Sequence, residues 1–411
     1  MIGGGLAGQD HCGRQAGEGH RVEVLEGAAQ PGGRCRSYFD PQLDAVIDNG
    51  NHLVLSGNTQ VAAYLARIGA SDRLAGPPNA AIGFADLKTG ERWTLRPNDG
   101  PLPWWIFSKA RRTPGTTASD YLGLAGLLQP APGRRIDQVI ACKGPVWERL
   151  MQPFLLAALN TAPEEGDAGL AAKVIAETLG KGGQACRPRI AHPTLAAAFV
   201  DPAVAYLEAH GAAVRCGRRI RALRLEDGRV AAIAKPDGEI AIGADDQVIL
   251  AVPPWAAQTM VPDLDVPDEF RAIVNGHFLI SPPADAPLML GLIGGTAEWV
   301  FAFPDRISVT VSGADRLLDD DREALAIRLW RDVATVHGLG PDLPPWQIVK
   351  ERRATFAATP AQNAKRPGVR TAWGNLFLAG DWTDTGLPAT IEGALRSGRT
   401  AAEAALGRKT G

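Results

Sequence analysis

Residues 3–8 read Gly-Gly-Gly-Leu-Ala-Gly, close to the start of the chain. The pattern is G-x-G-x-x-G, a turn that lets a pyrophosphate approach the backbone at the N-terminus of a helix. A short strand at residues 21–26 follows and ends on Glu26, 18 residues after Gly8. At about that spacing a carboxylate accepts hydrogen bonds from a ribose. The order of turn, strand and acid predicts a dinucleotide-binding unit, whose pattern glycines are Gly3, Gly5 and Gly8.

A second glycine pair, Gly32-Gly33, follows this unit and is joined directly to Arg34. Glycines let the backbone pass close to a diphosphate, and a guanidinium can pair with phosphate oxygens. The sequence therefore predicts a second contact to the same phosphates.

The other end of the chain carries a matching feature. Residues 376–382 read Leu-Phe-Leu-Ala-Gly-Asp-Trp, an apolar strand followed by Gly380 and Asp381. A helix is predicted to start near Ala389 and Thr390, and its N-terminus would stabilise a negative charge. We therefore expect one long cofactor to be held from both ends of the chain, with a substrate domain between.

Two features of the first unit weaken this prediction. Only two residues precede Gly3, so the central sheet is expected to lack most of its first strand. Residues 9–19 carry polar residues and glycines where a packed helix needs an apolar stripe. Each interior glycine costs roughly 1 kcal/mol relative to alanine. We expect this helix to pack poorly and the cofactor to be retained weakly.

Composition limits the possible functions. The chain has 411 residues, which favours two domains, and its net charge of −2 gives no reason to expect a nucleic-acid partner. Five scattered cysteines form no C-x-x-C pair, and the seven histidines have no metal-ligand spacing. We predict no metal site, a reduced cytoplasmic environment and no membrane-spanning segment.

The motifs G-G-R-x-x-S and Asp-Asn-Gly-Asn-His at residues 48–52 resemble the flavin-containing amine oxidase and carotenoid desaturase superfamily. The resemblance implies an α/β fold, in which a Rossmann-like FAD-binding domain of the glutathione-reductase type is interleaved with an α+β substrate domain. The FAD-binding domain would comprise residues 1–75, 205–255 and 350–411, and the substrate domain residues 76–204 and 256–349. Further flavin contacts are implied at Gly50, Asn51, Ile220 (adenine), Gly380, Asp381 (ribityl or diphosphate), Ala389 and Thr390.

Longer stretches, at residues 31–43, 47–58 and 379–391, resemble the hydroxysqualene dehydroxylases, flavin-dependent enzymes of hopanoid synthesis. The resemblance implies reduction of hydroxysqualene to squalene and water. That reaction needs a dry tunnel for a long apolar isoprenoid, a reduced flavin and an acid for the leaving hydroxyl. His52 is the candidate acid, because an imidazolium donates protons near neutral pH. A hydrogen-bonded structural histidine is the alternative interpretation.

The segment at residues 101–112 places Trp104, Trp105 and Phe107 beside three cations. Such a segment suits peripheral contact with the inner face of a membrane, or the rim of an apolar channel. An ordinary buried aromatic cluster is equally consistent with the pattern. The sequence does not indicate an oligomeric state.

Other functions stay open at this point. A carotenoid-type desaturase would use the flavin in the oxidising direction on a similar polyene. An amine oxidase would need an aromatic pair at the flavin, and none of the four tyrosines lies in the final flavin-contacting stretch. A non-catalytic prenyl-binding protein would have little need for Glu26, Arg34 and Asp381.

Overall fold

The computed structural model describes residues 1–129 and 131–408. The α-helices of this part are Leu6–Gly17 (α1), Thr59–Arg67 (α2), Gln152–Leu159 (α3), Ala168–Glu177 (α4), Asp201–Ala209 (α5), Pro254–Met260 (α6), Arg322–His337 (α7), Pro360–Ala364 (α8) and Ile391–Ala405 (α9). The strands are Glu23–Leu25 (β1), Ser37–Asp40 (β2), Ala45–Asp48 (β3), Leu53–Leu55 (β4), Leu74–Ala75 (β5), Ile82–Asp86 (β6), Arg92–Leu95 (β7), Pro188–Ala191 (β8), Ala213–Arg215 (β9), Ala222–Glu226 (β10), Arg229–Lys235 (β11), Gly238–Ala241 (β12), Val248–Leu250 (β13), Phe270–Phe278 (β14), Met289–Ile293 (β15), Trp299–Ala302 (β16), Ile307–Val311 (β17), Trp346–Phe356 (β18) and Leu376–Leu378 (β19).

A parallel sheet joins the two ends of the chain. Strand β1 pairs with β9, and β13 pairs with β19, all in parallel. Ile2 lies between these two pairs and forms parallel bridges to Leu25 and Leu250. Its N–H donates to Ile249 O at 2.8 Å, and its carbonyl accepts from Ala251 N–H at 2.8 Å. Ile2 therefore forms the hydrogen bonds of the first strand, which the sequence predicted to be short. The predicted α/β fold with a Rossmann-like sheet is confirmed.

Helix α1 forms over the polar segment because its buried polar side chains have partners. Gln9 accepts from the Tyr64 hydroxyl at 2.9 Å and donates to Gly4 O at 3.0 Å. The Asp10 carboxylate is fully buried and accepts from Arg14 at 2.8 Å and Arg67 at 2.6 Å. The expectation that this helix packs poorly is wrong, because hydrogen bonds and ion pairs replace the missing apolar stripe.

A seven-stranded sheet forms the other large layer, in the order β18-β14-β17-β16-β15-β6-β7. Its neighbours are antiparallel except for β15 and β6. Helix α7 covers one face through side chains that include Leu325, Leu329 and Val333, all fully buried. The division into two domains stays a prediction.

Two 3-10 segments, Trp104–Phe107 and Ala118–Leu128, lie together near the edge of this layer. Trp105 is 6% exposed and packs edge-on against Tyr121, with ring centroids 5.2 Å apart. Trp104 and Phe107 are 65% and 66% exposed. The prediction that Trp105 belongs to an exposed anchor is therefore wrong, since it is part of the core beneath. Within the described residues, no helix is long and apolar enough to cross a membrane.

Candidate functional site

The first glycine turn lies between Ile2 and α1, at the carboxyl edge of the parallel sheet. Gly3 has φ +106°, and a Cβ there would lie 2.3 Å from Ala251 O. A Cβ at Gly8 would lie 2.3 Å from Gly3 O. Gly5, in contrast, has no atom within 4 Å of its Cβ position. The turn is thus packed tightly against the sheet and open in front of the helix N-terminus, where a phosphate is stabilised.

Glu26 closes one side of this turn. Its Oε2 accepts from Gly4 N–H at 2.6 Å, and its Oε1 accepts from Ala28 N–H at 2.7 Å. The backbone of Arg218 donates to Glu26 O at 2.7 Å, which brings the segment leading to buried Ile220 alongside. The structure therefore places Glu26 at the glycine turn, with the backbone of Arg218, two residues before Ile220, bonded to it.

The second glycine turn lies directly against the first. Gly32 N–H donates to Gly4 O at 2.9 Å, and Gly5 and Gly32 form a parallel bridge. Gly32 has φ +104°, and a Cβ there would lie 2.8 Å from Val200. The two predicted phosphate-binding turns are therefore parts of one surface, in which glycine is needed for close approach.

Arg34 connects this surface to the C-terminal part of the chain. Its Nη2 donates to both carboxylate oxygens of Asp381, at 2.7 and 2.8 Å, and its Nη1 donates to Ala354 O. Gly380 N–H donates to Ser397 Oγ at 2.8 Å, which joins the Gly-Asp pair to α9. The predicted contacts from the two ends of the chain therefore meet.

The loop after Asp381 is held by a residue that the sequence analysis missed. Arg366 Nη2 donates to Asp381 O at 3.3 Å, to Thr385 Oγ1 at 3.0 Å and to Thr383 O. Burial lowers the pKa of Arg366 to about 10. The loop leads to the start of α9, where Thr390 Oγ1 accepts from Gly393 N–H at 3.0 Å. Arg366 is 15 residues from Asp381 in an unremarkable basic stretch, and no motif indicates it.

Residues 48–52 pack on the large sheet. A Cβ at Gly50 would lie 2.9 Å from Asn275 Nδ2, so this backbone approaches β14 closely. Asn51 Nδ2 donates to Thr310 Oγ1 at 3.1 Å and to Val309 O at 3.3 Å. Part of the Asn51 amide is thus used to hold the segment on β17.

His52 lies between this segment and the Arg34–Asp381 pair. Burial lowers the pKa of His52 to about 4, and the nearby charge of Arg34 lowers it further, while Asp381 opposes the shift. The imidazole is therefore neutral at pH 7. The prediction that His52 is an imidazolium near neutral pH is wrong, because the charged ring would be both desolvated and close to a guanidinium.

A small cavity adjoins His52. Its polar lining is Asp48, Asn51 and His52, and its apolar lining is Ile190, Ala191, Leu195, Phe301 and Phe303. Its volume is about 10 Å³, close to the minimum for one water molecule.

Asp48 lies at the base of this cavity and is closely held. It accepts from Ser37 Oγ at 2.6 Å and Leu195 N–H at 2.9 Å, and it pairs with Arg306 at 3.4 Å. Burial raises the pKa of Asp48, against these partners. The cavity therefore combines one polar wall with several apolar side chains, which suits a small polar group attached to a hydrocarbon.

Comparison with known proteins gives the family context for this site. The model of the family described as "Flavin containing amine oxidoreductase" matches residues 14–406. Among curated proteins, the chain is 52% identical to the hydroxysqualene dehydroxylase of Rhodopseudomonas palustris, over 99% of this chain and 97% of that protein. It is 51% identical to the protein of the same name from Sinorhizobium fredii, with the same coverage of both chains. The Zymomonas mobilis protein of that name is 47% identical, over 99% of this chain and 98% of its own length.

Solved structures share the fold at low sequence identity. An oxidoreductase from Methanosarcina mazei superposes with a TM-score of 0.73 at 15% identity, covering 98% of this chain and 99% of that one. Cyclohexylamine oxidase from Brevibacterium oxydans also gives a TM-score of 0.73, at 13% identity, covering 98% of this chain and 97% of its own. At this identity the similarity concerns the fold alone.

Proposed function

This chain belongs to the hydroxysqualene dehydroxylases within the flavin-containing amine oxidoreductase family, and we propose that it reduces hydroxysqualene to squalene with release of water. The enzyme is an FAD-dependent oxidoreductase, and its place is in squalene and hopanoid synthesis. The observation that carries the proposal is the identity of 47–52%, over 99% of the chain, to three proteins of that name.

The residues around the two glycine turns are proposed to hold FAD. The open space at Gly5, at the N-terminus of α1, would take the pyrophosphate, and Arg34, directly after the second glycine turn, would add positive charge to its site. Glu26 would bind the adenosine ribose and Ile220 the adenine. The remaining proposed contacts are Gly3, Gly8, Gly32, Gly33, Gly50, Asn51, Gly380, Asp381, Ala389 and Thr390.

Bound and reduced, FAD supplies the hydride for the reaction. The proton that leaves with the hydroxyl as water balances the oxidation of FADH2 to FAD, and the protein's own part is to place the alcohol and exclude water. We propose that the cavity beside His52 receives that hydroxyl, because its volume suits one oxygen atom with its hydrogens and its opposite wall is apolar. The neutral His52 ring would form a hydrogen bond with that hydroxyl.

Peripheral contact with the inner face of a membrane is part of this proposal. The substrate is a long hydrocarbon that partitions into lipid, so an enzyme that meets it benefits from a lipid-facing surface. Trp104 and Phe107 are exposed and suit this contact.

The test is turnover by the FAD-loaded protein under anaerobic conditions, after reduction of the flavin with dithionite. Hydroxysqualene should be converted to squalene, detected by gas chromatography with mass spectrometry. Conversion of squalene or a carotenoid precursor to a more unsaturated polyene, with hydroxysqualene unchanged, would contradict the proposal and favour a desaturase. Oxidation of an amine with release of hydrogen peroxide would favour an amine oxidase.

A further inference from the structure

We propose that the two 3-10 segments Trp104–Phe107 and Ala118–Leu128 form a surface that binds anionic lipid bilayers. The inference rests on the proposed function, because it gives the hydrocarbon substrate a place from which to enter. We define the lipid-contact surface by its exposed side chains: Leu102, Trp104, Phe107, Lys109, Arg111, Leu122 and Leu128.

Exposed apolar side chains are concentrated in this part of the chain. Among the described residues, ten large hydrophobic side chains are exposed, and five of them lie between residues 102 and 128. These five are 61–71% exposed, and each of the other five is less exposed than any of them. A concentration of this kind marks an interaction site more often than chance exposure does.

Local hydrogen bonds hold the exposed hydrophobic side chains in place. Asn98 Nδ2 donates to Leu102 O at 2.9 Å and to Gly100 O at 3.1 Å, and Asn98 Oδ1 accepts from Trp105 N–H at 3.1 Å. These bonds hold the turn that presents Leu102 and Trp104. The Trp104 and Phe107 rings lie beside each other, with centroids 6.2 Å apart, and both side chains stay largely exposed.

A buried aromatic contact joins the two segments into one surface. The rings of Trp105 and Tyr121 pack edge to face, and the Tyr121 hydroxyl accepts from Thr113 N–H at 3.1 Å. Arg112 Nη1 donates to Ile106 O at 3.0 Å, which fixes the chain between the segments. Side chains presented by two braced segments can enter an interface with little ordering cost.

Charge identifies the partner as an anionic bilayer. Residues 101–129 contain three cations and one acid, although the whole chain has a net charge of −2. The acid, Asp120, is occupied by hydrogen bonds from Thr117 N–H and Oγ1 at 2.6 and 2.9 Å. Lys109 and Arg111 are exposed beside the tryptophan. Indole rings at headgroup depth with lysine and arginine beside them are the pattern of an interfacial anchor.

The test is flotation of the FAD-loaded protein with vesicles of phosphatidylcholine, with and without phosphatidylglycerol. The wild type should bind the vesicles that contain phosphatidylglycerol, and added salt should weaken the binding. Trp104→Ala combined with Phe107→Ala should weaken it about tenfold or more, because two large apolar side chains no longer enter the lipid. Lys109→Glu with Arg111→Glu should remove the preference for phosphatidylglycerol.

The matched control is Phe39→Ala combined with Val46→Ala. These two side chains face each other across β2 and β3, are 58% and 48% exposed, and lie outside the lipid-contact surface. The control should bind vesicles like the wild type. Equal losses in both double variants, or no binding by the wild type, would overturn the proposal. Light scattering provides a further check. If the wild type is a dimer and the Trp104→Ala, Phe107→Ala variant is a monomer, the surface is a dimer interface and the proposal is wrong.

Turnover separates this inference from the proposed function. With hydroxysqualene in detergent micelles, the Trp104→Ala, Phe107→Ala variant should match the wild type. With the substrate in vesicles, it should be slower by about tenfold, in proportion to its binding. If the wild type converts hydroxysqualene in neither medium, the proposed function is wrong. If the variant matches the wild type in vesicles, the function stands and the lipid-contact surface is wrong.

Discussion

Arg34 and Asp381 lie 347 residues apart in the chain, and their side chains share two hydrogen bonds of 2.7 and 2.8 Å. Because one guanidinium nitrogen bonds both carboxylate oxygens, the pair fixes the relative position of the groups around it more strictly than a single hydrogen bond does. Because Arg34 follows the second glycine turn and Asp381 precedes α9, the pair sets the spacing of the proposed cofactor site. Individual side chains are therefore the right place to test the site.

Glu26→Gln should weaken FAD binding about tenfold or more. Glu26 accepts from two backbone N–H groups, and in the variant one of them would face an amide NH2 in place of a carboxylate oxygen. The dissociation constant can be measured by fluorescence titration of the apoprotein. Glu23→Gln, an exposed change in the same strand, should leave affinity unchanged. Equal affinity in both variants would remove Glu26 from the site.

His52→Phe should lower turnover about tenfold while FAD affinity stays the same, because the variant loses the proposed hydrogen bond to the substrate hydroxyl. The pKa of His52 is lowered to about 4, so the side chain is neutral from pH 6 to pH 8. The ratio of wild-type to variant turnover should therefore be constant over this range. A ratio that falls as pH rises through 6.5 would show an ordinary, protonated histidine instead.

Glu298→Gln should stabilise the protein at high pH. Burial raises the pKa of Glu298 from 4.5 to about 7, against a hydrogen bond from Ser312 N–H. Between these values the folded state binds more protons than the unfolded state, so the wild type loses stability as pH rises from 4.5 to 7. The free energy of unfolding of the variant, taken relative to that of the wild type, should therefore rise by about 3 kcal/mol between pH 4.5 and pH 8.

Urea unfolding at both pH values measures this gain. Glu208→Gln, an exposed change on α5, is the control and should show no such dependence. If the free energies of unfolding of the wild type and Glu298→Gln differ by the same amount at pH 4.5 and pH 8, the pKa of Glu298 is not raised.

At the scale of single elements, helix α1 is the clearest test. Asp10 is fully buried between Arg14 and Arg67, and Arg67 belongs to α2. Asp10→Asn should destabilise the protein by about 3 kcal/mol, because two partly buried guanidinium groups lose their counter-ion. Chemical unfolding measures the change. Glu403→Gln, which breaks a more exposed pair with Arg399, should cost less than about 1 kcal/mol. Similar losses of stability in the two variants would show that the buried Asp10 ion pairs stabilise the protein no more than the exposed pair does.

The same helix shows what the sequence could and could not predict. Strand β19 is the predicted apolar run, and helix α9 begins at Ile391, next to the predicted start near Ala389 and Thr390. These elements follow periodicity and burial, which are local properties. The polar residues of α1 led to the wrong prediction of poor packing, because their hydrogen-bond and ion-pair partners Tyr64 and Arg67 lie on another helix.

The candidate site was likewise only partly predictable from the sequence. The glycine turns, Glu26 and Asp381 were predicted because they match sequence motifs, and the structure brings the turns, Glu26 and Asp381 together. Arg366 was not found, since its role depends on a loop conformation and on no motif. The lowered pKa of His52 could not be predicted from the sequence either, because it depends first on burial of the ring and then on the nearby charge of Arg34 in the folded chain.

At the scale of the whole molecule, one polypeptide forms a parallel sheet from both of its ends and a large antiparallel sheet from the segments between. The glycine turns lie at the edge of the first sheet, and residues 48–52 pack on the second. His52 therefore lies where the two layers meet, with the Arg34–Asp381 pair on one side and the small cavity on the other. This arrangement lets a cofactor and an apolar substrate approach the same residue from different layers.

The central claim is that this chain reduces an alcohol with hydride from its flavin, and turnover of hydroxysqualene in D2O tests it most directly. The N–H hydrogens of reduced flavin exchange with solvent, so a transferred hydride carries deuterium. Mass spectrometry of the product should show squalene with one deuterium at the carbon that lost its hydroxyl. Squalene without deuterium, or a polyene more unsaturated than the substrate, would contradict the account.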